Sequence, residues 1–241
     1  MDRWFPRIAI PMSWEQFRQL PQHPAYRYEY LEGRARLTAR VRRYHALLSL
    51  PDRPTRAVEP GTGVILRPLT ASDWNRMPQL FEVAFAGTPP FSLLEPQLRL
   101  SAAGDCVERT RAGEFGRNVD RASFVAECDG RVLAALFVTL LQAGDLERFD
   151  DPRWREPPPD DALQQKWGRP HLTWILTAPD ASRRGLATAL LDRASASLTE
   201  LGYTELASTF LLGNEPSLLW HWRNGFRLLS YVGSPRRWRD R

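Results

Sequence analysis

The sequence predicts an α/β (α+β) fold, a mixed central sheet flanked by helices, with a small N-terminal extension. Three observations predict it. Strand-like and helix-like segments alternate between residues 64 and 233 in the order β-α-β-β-β-α-β-α-β. An Asp129-Gly130 dipeptide between two apolar runs marks a hairpin inside that series. A proline- and glycine-rich stretch, "PDRPTRAVEPGTG" (51–63), separates the series from what precedes it and reads as a linker.

In chain order, "SWEQFRQL" (13–20) opens with Ser13 as a helix N-cap. "YRYEYLEGRARLTARV" (26–41) alternates aromatic and polar residues and turns at Glu32-Gly33, as a hairpin does. "RRYHALLSL" (42–50) reads as a helix. After the linker, "VILRPL" (64–69) is a strand. "TASDWNRMPQLFEVAF" (70–85) carries Trp74, Met77, Leu80, Phe81 and Phe85 at helical spacing, with Pro78 as a kink or a late helix start. Strands follow at 123–129 and 130–141. Residues 143–170 are polar and proline-rich, a length of loop that is often functional. "HLTWILTA" (171–178) is a strand, 183–202 a helix stopped by Gly202, 204–212 a strand, 215–226 a helix ending at Gly225, and 227–233 a last strand. The division is thus 1–58 as extension and 62–235 as main domain.

The chain has 241 residues, enough for one substantial core plus an extra piece, or for two small domains. No apolar run reaches the length of a spanning helix, and the N-terminus lacks the apolar core of a signal peptide, so a cytoplasmic protein is expected. Cys106 and Cys128 are well separated and read as free thiols, so neither a disulfide framework nor a metal is expected. The net charge is +5, and Lys166 is the only lysine. A GC-rich genome accounts for that arginine excess; a phosphate-bearing partner is the functional alternative. The arginines are spread out, and no compact basic run interleaves with aromatics, which argues against a nucleic-acid surface.

The most informative stretch is "ASRRGLATALLDRA" (181–194), where a strand passes into a helix. Amide groups at a helix start carry partial positive charge, and small residues let a phosphate approach them. Arg183 and Arg184 could add charge-assisted bonds. A pyrophosphate site and a plain helix start both fit this stretch alone. The second element is "GNEPSLLWHWRNGF" (213–226), after the next strand. Together the two resemble the GNAT superfamily of acyl-CoA-dependent N-acetyltransferases, over about residues 62–235. That family's cofactor loop, [Gln or Arg]-x-x-Gly-x-[Gly or Ala], is matched by "SRRGLA" (182–187) after "TAP". Its next helix is matched at Asn214, Ser217, Gly225 and Phe226. Ser182 stands where the family has Gln or Arg, and His221 where it has Tyr.

The resemblance implies direct transfer from acetyl-CoA to a primary amine. Acetyl-CoA would lie where strands 171–178 and 204–212 part. Ile175, Leu176 and Thr177 would pair with the pantetheine arm, and the amide near Leu176 would polarise the thioester. Ser182, Arg183, Arg184, Gly185, Leu186, Ala187 and Thr188 would hold the pyrophosphate, and Asn214 the pantetheine. His221 is the expected acid in place of Tyr, or else a packed helix residue; Ser217 shares its helix face. His171 is the only titratable side chain in its strand, as base or as an ordinary strand-end histidine.

Phe85, Phe91 and the "AGTPPF" loop (86–91) are expected at the acceptor mouth. The carboxylates of 143–170 either attract a cationic amine there or form a solvated insertion. The extension faintly resembles the start of Uma2-type proteins, without their nuclease residues, and is expected to pack on the main domain or on a second subunit, which leaves a homodimer open. An acyl-CoA-binding sensor with weak chemistry is the alternative function, and a basic nucleic-acid-associated protein a third.

Overall fold

In the computed structural model, the structure describes residues 8–20, 26–39, 43–53, 60–142, 158–211 and 214–229. Two sheets form. The small one has the order β1-β3-β2, from β1 (Ile8–Pro11), β2 (Tyr26–Leu31) and β3 (Arg34–Ala39), all antiparallel. Glu32 and Gly33 both have positive φ at the β2–β3 turn, as the tight hairpin requires. Between β1 and β2, α1 (Trp14–Gln19) carries a full capping box: Ser13 accepts from the Gln16 amide, and Gln16 accepts from the Ser13 amide.

The main sheet contains β4 (Arg43–Ser49), β5 (Val64–Pro68), β7 (Phe124–Cys128), β8 (Arg131–Leu141), β9 (Arg169–Thr177), β10 (Glu205–Leu211) and β11 (Arg227–Leu228), in the order β11-β4-β10-β9-β8-β7-β5. A two-residue β6 (Arg117–Asn118) pairs with β8. Here the reading of 42–50 as a helix is corrected. Residues 43–49 form β4, which runs antiparallel to β10 from Glu205↔Ser49 to Leu211↔Arg43. The apolar run Ala46–Leu48 is buried between two neighbouring strands, and a short buried run has no period that separates strand from helix. The segment before the linker therefore supplies a strand to the main sheet.

β8 is the centre of the core. Val132–Leu140 are all buried, which a strand covered on both faces permits. α2 (Met77–Phe85) follows a 3₁₀ turn at Asp73–Arg76, and Pro78 sits in its first turn, so the proline starts the helix rather than kinking it. α3 (Pro96–Arg111) was not foreseen: its many small and charged residues mask its apolar stripe of Ala102, Ala103, Cys106 and Val107. α4 (Leu186–Glu200) buries Leu186, Ala189, Leu190, Leu191, Ala194 and Leu198 against the sheet. α5 (Glu215–Arg223) has Asn214 as its cap. Cys106 and Cys128 are free thiols. No described helix is long and apolar enough to cross a membrane.

The small sheet packs on α3, and Arg34 reaches Asp105 at 2.7 Å. Of the two expected berths for the N-terminal arm, the main domain is the one it occupies within the chain.

Candidate functional site

β9 and β10 are parallel neighbours joined by only two residue pairs, Ala207↔His171 and Ser208↔Leu172. Beyond these the strands part. β9 stays bonded to β8 and β10 to β4, so one edge of β9 from Thr173 to Thr177 faces the gap. Parting at the carboxyl ends of parallel strands is a standard way to make a ligand crevice. A cavity of about 1530 Å³ opens there, lined by β9, β10, the 181–188 loop and α5.

Antiparallel alternation fixes which β9 amides face the gap. Ala178 N–H donates to Leu133 O at 2.8 Å, and the register runs Thr177↔Ala134, Leu176↔Ala135, Ile175↔Leu136. Ala178, Leu176 and Trp174 are thus bonded to β8, while Ile175 and Thr177 turn their amides and carbonyls to the gap. This corrects the expected role of the Leu176 amide: it is committed to Ala135, and the Leu176 side chain is fully buried. The register slips at Phe137/Val138, where Thr173 is the extra residue.

The loop after β9 contains a 3₁₀ turn at Pro179–Ala181, then Arg183 (φ 63) and Gly185 (φ 78). The helix expected from residue 183 begins at Leu186. Its first intrahelical bond in this stretch runs from Ala189 N–H to Gly185 O at 2.9 Å. No side chain caps the helix, so the amides of Gly185, Leu186, Ala187 and Thr188 form an unfilled donor array. Ser182, Arg183, Gly185, Leu186, Ala187 and Thr188 line the cavity. Arg184 is not among the lining residues and is exposed, so it is the one member of the loop set placed apart.

Asn214, Ser217 and His221 share one face of α5 and line the same cavity. Asn214 Oδ1 accepts from the Ser217 amide at 3.3 Å. His221 is buried and stacked on Phe210, centroids 4.1 Å apart. Its Nδ1 lies 2.7 Å from Ser217 O. A carbonyl can only accept, so Nδ1 carries the proton. Nε2, 2.8 Å from Ser208 Oγ, then accepts from that hydroxyl. Burial pushes the His221 pKa down to about 4 against a partial lift from the Ser217 carbonyl. At neutral pH the ring is uncharged and its one proton is held. In this arrangement His221 holds its proton on Ser217 O and accepts from the Ser208 hydroxyl, which suits the packed-residue alternative better than the acid.

His171 is also buried, with Nδ1 3.2 Å from Thr173 Oγ1 and Nε2 3.1 Å from Thr209 Oγ1. Burial, then the charges of His45 and His221, push its pKa down to about 3. A ring so hard to protonate is a poor base at neutral pH, and the reading as a strand histidine with ordinary bonds is the one its surroundings support. Ser208, Thr209 and Thr173 were missed in the sequence. The available signal was a pair of hydroxyls in "TELASTFLL", mid-strand and otherwise apolar.

The rest of the cavity is aromatic. Trp74, Phe85, Phe91, Phe115 and Trp174 line it, with Thr88–Pro90. Trp174 meets Phe81 edge-on at 4.8 Å and Phe85 at 6.0 Å, while its Nε1 donates to Thr110 Oγ1 at 2.8 Å. Phe85 and Phe91 are among its lining residues. Trp74, Phe115 and Trp174 come from three further segments, and Ile8, Leu37 and Thr38 of the small sheet close the wall. Of the 143–170 segment, Pro158 and Asp160 line the cavity. Asp145, Glu147, Asp150, Asp151, Trp154 and Glu156 lie outside the described residues.

No family model and no curated relative matches the sequence. Solved structures do resemble the fold. One is a GNAT family acetyltransferase from Brucella melitensis in complex with acetyl-CoA, 20% identical, with a TM-score of 0.45 over 70% of this chain and 88% of that one. A GCN5-related N-acetyltransferase from Ralstonia eutropha JMP134 is 18% identical, with a TM-score of 0.47 over 72% and 98%. The PaiA N-acetyltransferase from Thermoplasma acidophilum, in complex with coenzyme A, is 12% identical, with a TM-score of 0.47 over 71% and 94%. At these scores the likeness is one of outline, and what the chain does has to be argued from its own cleft.

Proposed function

We propose that the chain is an N-acetyltransferase of the GNAT type, which binds acetyl-CoA where β9 and β10 part and transfers its acetyl group to a primary amine. The observation that carries this reading is the joining of two features by one loop. The exposed edge of β9 runs into the uncapped start of α4, and the sequence of that loop and of α5 carries the superfamily's spacing.

The pantetheine arm has amide and carbonyl groups spaced to bond the gap-facing groups of Ile175 and Thr177 as an added strand would. Asn214, whose Oδ1 caps α5, would donate from Nδ2. The amides of Gly185–Thr188 would hold the pyrophosphate, and Arg183 would add charge at its edge. The amine attacks the thioester carbon, and the departing thiolate takes up a proton. That proton is the one the attacking nitrogen loses; the Ser208 hydroxyl, whose own proton goes to His221 Nε2, is not its source. Acetyl-CoA enters as co-substrate, and nothing in this chemistry calls for a metal.

The test is calorimetric titration of acetyl-CoA into the wild-type chain and into Ala187→Glu, which places a carboxylate among the phosphate-facing amides. We expect the variant to bind at least about 100-fold more weakly, which corresponds to ~2.7 kcal/mol. Equal binding by the two, or none by either, overturns the site. The second reading, a coenzyme-binding sensor, is favoured by the two histidines whose protons or lone pairs are already committed. It would show tight acetyl-CoA binding and no thiol release with any amine.

A further inference from the structure

The aromatic half of the cavity bears on the acceptor. A protonated amine cannot attack, so an enzyme for alkylamines must strip a proton at neutral pH. Among the described residues lining the cavity, no side chain is set to do so. His171 and His221 hold their bonds to Thr173, Thr209, Ser208 and Ser217. Of the lining carboxylates, Glu114 is held by Arg109 at 2.8 Å, Asp160 lies beside Arg117, and Asp120 is exposed at the rim.

Nor does the pocket welcome a cation. Arg111 and Arg117 line it. The Arg109 guanidinium already sits 4.8 Å over the ring of Phe115, so that one of the lining rings is taken. What remains is an apolar wall of Trp74, Phe85, Phe91 and Trp174, the last three in ring contact, whose faces and edges favour an aromatic partner.

We infer that the acceptor is a weakly basic amine on an aromatic body, an arylamine, which reaches the thioester already uncharged. This rests on the acetyl-transfer reading. The nitrogen lone pair forms the C–N bond to the acetyl carbon. The C–S bond breaks with its electron pair on sulfur, and one N–H proton ends on that sulfur. An arylamine, acetyl-CoA and nothing else give the anilide and free CoA.

The experiment follows thiol release and confirms the amide by mass spectrometry, with acetyl-CoA and one of three amines: 4-ethylaniline, 2-phenylethylamine or spermidine. At pH 7 we expect 4-ethylaniline to be turned over at least about tenfold faster than either alkylamine. Its rate should change less than about twofold between pH 6.5 and 8. Phe85→Leu should raise KM for 4-ethylaniline severalfold and leave acetyl-CoA affinity unchanged. Ala84→Glu, which sets a carboxylate in the same wall, should move the preference toward 2-phenylethylamine. Preference of the wild type for 2-phenylethylamine or spermidine overturns the inference while the acetyltransferase reading stands. Acetyl-CoA that fails to bind in the titration above overturns both.

Discussion

The two ends of the cavity are built in opposite ways. The end proposed for the coenzyme comes from one continuous piece of chain, β9 through α5, and its groups are backbone amides and one capped helix. The end proposed for the acceptor is gathered from the small sheet, the α2 region, the 111–118 turn and β9, and its lining is mainly rings. Backbone donors need only the right local conformation, so a short motif can specify them. A box of rings needs distant segments to pack at one place, and no short motif encodes that. The difference predicts that the ends fail separately: damage to the acceptor wall should leave acetyl-CoA binding in place.

The largest such damage is expected at Asp73. It is 1% exposed and takes Arg67 in two bonds of 2.7 and 2.8 Å, together with the Thr70 amide and hydroxyl. The Arg67 guanidinium holds its carboxyl well below the usual carboxylate range, against burial that pulls the other way. Glu127 also bonds Arg67. This cluster ties β5 and β7 to the turn that carries Trp74. Asp73→Ala takes two charge-assisted bonds from the Arg67 guanidinium, which keeps Glu127, and should cost about 1.5–3 kcal/mol. Urea unfolding should show a loss of that order. In the folded fraction the acceptor KM should rise while the acetyl-CoA Kd stays within about twofold. A Kd that moves with the KM would mean the two ends are one unit.

Acid should act next, and from the middle of the cavity. His171 and His221 are folded with pKa values of about 3 and about 4, against 6.5 for the unfolded ring. The unfolded chain therefore binds more protons at any pH between those limits. Stability is fully present above pH 6.5, begins to fall below it, and goes on falling until the folded rings titrate, by up to about 1.4 kcal/mol per pH unit for each histidine. Asp73 adds its own loss only below its unfolded value of 3.8. Urea midpoints at pH 7, 6, 5 and 4.5 should decline steadily, and His171→Asn should flatten the slope by one histidine's share. A flat profile over this window would mean that the parted strands admit charge and water.

The same contrast explains what could be read in the sequence. "SRRGLA" and Asn214 pointed to the loop and the helix cap that line one end of the cavity, because both are local. Hairpins at Glu32-Gly33 and Asp129-Gly130 were legible for the same reason. β4 was not: "RRYHALLSL" is compatible with both periods, and its choice is made by β10 and β11, which lie more than 150 residues later. α3 hid behind small and charged residues that pack only because the small sheet lies on them. The role of His221 turned on Ser208, a strand away, and on a carbonyl that no residue letter reveals. Leu176 failed on parity alone: β8 decides which alternate amides of β9 are free.

The smallest effect is expected where the small sheet docks, and it isolates the acceptor wall most cleanly. Arg34 meets Asp105 at 2.7 Å with side chains 45% and 11% exposed. Burial pushes the Asp105 pKa up, against the pull of Arg109 and then Arg34. When Arg34 is removed, the carboxyl need not stay charged and unpaired: Arg109 lies 3.7 Å from its other oxygen, and its raised pKa makes a proton easier to take up. Arg34→Ala should therefore cost no more than about 1 kcal/mol, as half-exposed pairs do. Leu37, three residues on in the same strand, is buried and lines the cavity, so a sheet that sits more loosely on α3 should still be felt by the acceptor. We expect its KM to rise about two- to threefold with acetyl-CoA affinity unchanged. An unchanged KM would show that the rings alone hold the acceptor and that the small sheet only covers them.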